Sequence, residues 1–161
     1  MENLLLPRKI GYELDKKNPN RAKFVVEPCY FGYGTTIGNA LRRVLLSSLP
    51  GAAVTSMKIE GATQPFTSLD NVKEDVLAIC LNLKSLRLKM FSSEPVKLTL
   101  SAKGDKQVTA ADFKKNSDVE IINTDLHIAT LTDKKAKFEM EITVKPGRGY
   151  LPTEERDKEE L

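Results

Sequence analysis

Apolar and polar residues alternate most regularly in the segment KFEMEITVK. There Phe138, Met140, Ile142 and Val144 stand against Glu139, Glu141, Thr143 and Lys145. A period of two predicts a strand with one face on a core and the other in water. The same spacing sets Ala53, Thr55, Met57 and Ile59 against Val54, Ser56, Lys58 and Glu60. It also sets Leu86, Leu88 and Met90 against Arg87 and Lys89, and Val96, Leu98 and Leu100 against Lys97 and Thr99. Shorter runs at 119–122 and 126–131 complete a β-rich segment. Nearer the start, RAKFVVE at 21–27 is β-branched and aromatic in its middle and predicts a strand that stops at Pro28.

Two stretches carry helical spacing instead. In IGNALRRVLLSSLPG, Thr35 or Thr36 is expected to cap the N-terminus and Pro50-Gly51 to end the helix. Further on, Asn71 stands three residues before Glu74, a variant of the capping box, and Val72, Val76, Ile79, Cys80 and Leu83 give a second helix its apolar positions. The last nine residues, TEERDKEEL, hold a single apolar side chain and are expected to fray.

The first helix is apolar on more than one side. At about 100° per residue, Ile37, Ala40, Leu41, Val44, Leu45 and Ser48 gather into a stripe expected to face the core. Asn39, Arg42, Arg43, Leu46 and Leu49 fall on the side that ordinary amphipathicity would leave to water. Leucines set between arginines suit a protein-protein interface, because a guanidinium offers a fork of donors beside the apolar contact. Cover by another part of the same chain is the alternative, and the pattern leaves both open.

Composition narrows the function classes only a little. With 161 residues, 40% of them hydrophobic, the chain can bury a core as one ordinary or two small domains. Its 25 basic against 22 acidic residues leave a formal charge of +3, too small a bias to demand nucleic acid or membrane as partner. Cys29 and Cys80 lie far apart, with neither a disulfide framework nor a CxxC metal site suggested, so a reducing, cytoplasmic setting is expected. The triplet Leu4-Leu5-Leu6 is too short for a signal peptide or membrane span.

No motif marks an active site. Gly32, Gly34 and Gly38 are spaced GxGxxxG, which departs from the dinucleotide fingerprint, and they read better as glycines that let the chain turn into a helix. A phosphate-binding GxxxxGK[ST] loop is missing. His127 is the single histidine, with no Ser or Cys motif to pair with it as a nucleophile. Asp105, Asp112, Asp118 and Asp133 are too scattered to hold two magnesium ions and read as turn and cap residues. GRGY at 147–150 and the basic residues of NLKSLRLK are weak signals for nucleic acid, and a solvated face accounts for the second. No cofactor or metal is expected.

The segment EPCYFGYGTTIGNALRRVLLSSLPGAAVTSMKIEG resembles the N-terminal domain of the alpha subunit of bacterial-type RNA polymerase. The resemblance continues in order through FTSLDNVKEDVLAICLNLKSLRLK, VTAADF, DVEIIN and GRGYLPTEER, and so covers nearly the whole chain. It implies an α+β fold, in which a partial dimerisation subdomain of strand and helix, residues 1–52, precedes a β-rich insertion subdomain, residues 53–152, and a polar tail, residues 153–161. It implies a non-catalytic subunit that dimerises and on which the beta and beta-prime subunits assemble. Arg43 matches the family position associated with beta binding. Phe66, Lys73, Glu74 and Asp75 fall in a loop and helix start that also meet the large subunits, and Lys84 falls in the LNLK segment implicated in beta-prime contact.

The family chain continues beyond GRGYLPTEER, returning to the first subdomain with further strands and a long helix before a DNA-binding C-terminal domain. The present sequence stops soon after that motif, so an incomplete dimer interface and no direct DNA binding are expected. The runner-up function is a stand-alone nucleic-acid-binding or regulatory module of the same fold, which salt-dependent DNA binding would distinguish.

Overall fold

The computed structural model describes residues 6–18 and 20–152. The chain divides into two compact units, Met1–Leu49 and Pro50–Leu161.

In the first unit, strands β1 (Lys9–Leu14) and β2 (Ala22–Glu27) pair antiparallel, with Ile10 opposite Val26, Tyr12 opposite Phe24 and Leu14 opposite Ala22. These opposed residues share one face, on which the Tyr12 and Phe24 rings meet at a tilt of 33° with centroids 6.3 Å apart. Strand β1, not expected from the sequence, does alternate, with Ile10, Tyr12 and Leu14 set against Lys9, Gly11 and Glu13. Helix α1 follows over Tyr33–Ser47. Its N-cap is Gly32 at φ 82°, and no side chain caps it. Thr35 and Thr36 lie inside the helix, because glycine takes up the left-handed turn that a β-carbon resists and lets the helix begin earlier.

The second unit is built on a five-stranded antiparallel sheet in the order β5-β9-β3-β4-β7, comprising β3 (Pro50–Ile59), β4 (Leu88–Met90), β5 (Val96–Lys103), β7 (Val119–Ile121) and β9 (Lys137–Arg148). A separate antiparallel pair joins β6 (Lys106–Thr109) to β8 (His127–Leu131). Between β6 and β7, a single 3-10 turn at Ala110–Asp112 is fixed by a reciprocal capping box between Thr109 and Asp112. Helix α2 (Val76–Lys84) packs on β8 and β3.

The alternation in β9 is realised as a strand: Phe138, Met140, Ile142 and Val144 are buried while Lys137 and Glu139 face solvent. Leu98, Leu100 and Ala102 of β5, Val108 of β6, Ile128, Ala129 and Leu131 of β8, and Val76, Ile79 and Leu83 of α2 complete the core. Each fully buried aliphatic side chain contributes about 1.5–3 kcal/mol. The 76, 79, 83 spacing gives α2 one buried face and leaves Leu77 and Leu81 exposed on the other.

Two local expectations are corrected. The inward set of β3 is Ala52, Val54, Met57 and Ile59, with Ala53 and Thr55 exposed. A bulge between Val54 and Ser56 inserts one residue and reverses which parity faces the core. The second helix opens at Asp75, not Asn71: Asn71 sits at φ 60°, outside helical geometry, and the Asp75 carboxylate caps the Ala78 N–H at 2.6 Å.

Candidate protein-protein interface

Helix α1 has no buried residue. The stripe expected to be its core side, including Leu41, Val44 and Leu45, is exposed, and so are Leu46 at 67% and Leu49 on the other side. A single helix and a two-stranded sheet have too little surface to cover one another's apolar faces. Arg42 and Arg43 lie along the same helix, exposed, and neither guanidinium has a carboxylate partner among the described residues. Asn39, one turn earlier, is exposed as well. The β1–β2 face adds Ile10, Tyr12, Leu14 and Phe24, all exposed.

In the second unit, Phe66 projects into solvent at 78% exposure. From there residues 71–74 run beside β8, held by its backbone: Lys73 N–H donates to Thr130 O at 3.0 Å, Thr132 N–H donates to Asn71 O at 3.0 Å, and Val72 bridges Leu131. Lys73 and Asp75 are exposed and, with Ser68, Val72, Glu74 and Ala78, line an open concavity of about 470 Å³. Lys84 is exposed in the last turn of α2, where a cation complements the negative helix end.

Glu74 differs from these neighbours. Its carboxylate accepts the Thr130 N–H at 2.6 Å and the Thr130 hydroxyl at 2.9 Å, and pairs with His127 Nε2 at 3.1 Å. Only 16% of the side chain is exposed. Burial pushes its pKa up, but the hydrogen bonds from Thr130 and His127 outweigh that and hold it below the ordinary glutamate value. His127 thus has a structural partner in Glu74. Sequence reasoning missed the cluster, because 53 positions separate Glu74 from His127 and no local spacing links them. It also missed Asn82, whose side chain donates to Ile128 O at 3.0 Å, and Asn123, which receives Arg87 N–H at 2.8 Å and donates to Ser85 O at 3.0 Å. Asn82 ties the end of α2 to β8, and Asn123 ties the α2–β4 connection to the segment that follows β7.

Among the described residues, no group of three His, Cys, Asp or Glu side chains is placed to hold a metal ion. No helix among them is long and apolar enough to cross a membrane. The arrangement offers exposed leucines and unpaired arginines on α1, and a braced segment with projecting Phe66 and Lys73 in the second unit.

Comparison with known proteins matches residues 57–161 to the RNA polymerase Rpb3/RpoA insert domain. The DNA-directed RNA polymerase subunit alpha of Symbiobacterium thermophilum is 59% identical over 133 residues, covering 83% of this chain and 42% of that protein. The subunit of the same name from Oceanobacillus iheyensis is 52% identical over 144 residues, covering 89% of this chain and 46% of that protein. The chain therefore spans less than half the length of these relatives.

Proposed function

Because this chain belongs to the RNA polymerase alpha-subunit family and carries its Rpb3/RpoA insert domain, we propose that it is an assembly scaffold of DNA-directed RNA polymerase. It offers surfaces to the large beta and beta-prime subunits, to which nucleotidyl transfer and its magnesium belong. Residues 1–52 act as part of a dimerisation subdomain and residues 53–152 as the β-rich insert, with a polar tail at 153–161. The working compartment is the bacterial cytoplasm.

The observation that carries this reading is the uncovered state of α1. Covering Leu41, Val44, Leu45, Leu46 and Leu49, each already partly shielded, is worth on the order of 5–10 kcal/mol in total. Association costs about 4–15 kcal/mol in lost freedom. Leucines alone therefore leave little surplus, and stable docking needs further contributions. Arg42 and Arg43 supply them as unpaired donors for carboxylates or carbonyls, and the apolar β1–β2 face supplies further area toward a second alpha chain. Asn39, Arg42, Arg43, Leu46 and Leu49 form one contact set. Phe66, Lys73, Glu74 and Asp75 belong to the loop and helix start that meet the large subunits, and Lys84 to the segment at the end of α2 that meets beta-prime.

Arg43→Ala tests the assignment. Removing an exposed, unpaired side chain changes stability by about 0.5 kcal/mol or less, so the variant melts with the wild type but captures the beta subunit about tenfold more weakly or worse. Equal capture by both proteins removes Arg43 from the interface.

A further inference from the structure

Glu74 entered the contact set by its place in the chain, yet its carboxylate is turned toward β8 and is largely shielded from any partner. We propose that Glu74 is a positioning residue: held by Thr130 and His127, it fixes residues 71–75 as a preformed docking edge, and it does not itself touch the large subunit. The inference rests on the assembly reading above.

The geometry places Glu74 where the segment changes character. Before it, Val72 and Lys73 are stitched to Leu131 and Thr130 as an extended edge. After it, Asp75 caps α2 through the Ala78 N–H. The turn into the extended edge is made by Asn71 at φ 60°, a left-handed conformation that asparagine adopts more readily than other residues with a β-carbon but that its surroundings still have to hold. Within the segment, the Glu74 side chain makes three hydrogen bonds to β8. Without the carboxylate, the Thr130 N–H loses its acceptor, and the turn at Asn71 loses a restraint on its far side. Phe66 and Lys73 remain exposed. A segment already fixed in its bound shape loses less entropy on docking, so bracing of this kind raises affinity without a contact of its own.

The test compares Glu74→Ala, Glu74→Gln and Phe66→Ala in the whole chain. Residue-resolved amide exchange is read for each, along with titration against isolated beta and beta-prime subunits. Glu74→Ala is expected to speed exchange at the Lys73, Thr130 and Thr132 amides about tenfold, to leave β5 and β9 unchanged, and to weaken capture to a similar degree. Glu74→Gln keeps a carbonyl oxygen for the Thr130 N–H and restores most of both. Phe66→Ala weakens capture and leaves exchange alone. Weakened capture by Glu74→Ala with exchange unchanged makes Glu74 a direct contact and overturns the proposal. Faster exchange throughout β5 and β9 reduces it to general stability and overturns it equally. Faster exchange confined to the segment, with capture unaffected in both Glu74→Ala and Phe66→Ala, overturns instead the premise that residues 66–75 dock a large subunit.

Discussion

Met57 lies directly opposite Ile142 in the β3–β9 ladder, and the pair faces the core because the bulge at Thr55 has already reversed the parity of β3. On its other side Ile142 pairs with Leu98 of β5, so three neighbouring strands meet at this side chain. Ile142 is 0% exposed.

Ile142→Ala is therefore expected to destabilise the second unit by about 2–5 kcal/mol, the range for truncating a fully buried isoleucine. Urea unfolding followed by far-ultraviolet circular dichroism reads this as a lower midpoint at unchanged slope. A loss below about 0.5 kcal/mol, the size of a surface substitution, places Ile142 outside the core.

Asp75→Ala removes the side-chain cap of α2 and leaves the Ala78 N–H without its partner at 2.6 Å. The expected cost is about 1 kcal/mol, and Asp75→Asn, which keeps an acceptor oxygen, recovers most of it. Denaturant melts of the two variants check the order. Equal losses exclude the cap as the cause.

Acid sensitivity follows from two carboxyls. At Glu74 and at Asp112, burial raises the pKa, but hydrogen bonds more than offset it: from Thr130 and His127 in the first case, and from Lys106 Nζ at 2.6 Å and Thr109 N–H at 2.9 Å in the second. A carboxyl whose pKa is lower in the folded than in the unfolded chain stabilises the fold while ionised. That contribution is complete above the unfolded values, about pH 4, and disappears as pH falls through the folded values. Melting of the second unit should therefore fall off below about pH 4, and Glu74→Gln should flatten part of that decline. An identical acid profile in wild type and variant contradicts the account of Glu74.

Much of this architecture is legible in the chain because burial imposes period on sequence. The β9 pattern of Phe138, Met140, Ile142 and Val144 maps onto its buried face without correction. What stays hidden has physical reasons. A bulge leaves no mark in local composition, so Val54 and Thr55 exchange their expected faces. Four-residue β6 buries only Val108 completely, too little for a period. The brace at Glu74 depends on His127 and Thr130, which the fold alone brings near. The outward side of α1 is the opposite case, since Arg42, Arg43, Leu46 and Leu49 stand out in the sequence because their pattern does not suit a solvated face.

Leu46→Ala tests that pattern without touching charge. The side chain is exposed in the chain, so the melting midpoint should hold within about 0.5 kcal/mol of stability, while capture of the beta subunit weakens about tenfold. A large loss of stability instead shows that Leu46 is covered within the chain.

The most direct test of the scaffold reading is light scattering coupled to size-exclusion chromatography, on the chain alone and mixed with a matching beta subunit. A scaffold co-elutes with beta as a stable complex that withstands moderate salt and that Arg43→Ala weakens. A chain that ignores beta, yet binds DNA with a steep salt dependence, contradicts that reading and favours the nucleic-acid-binding module.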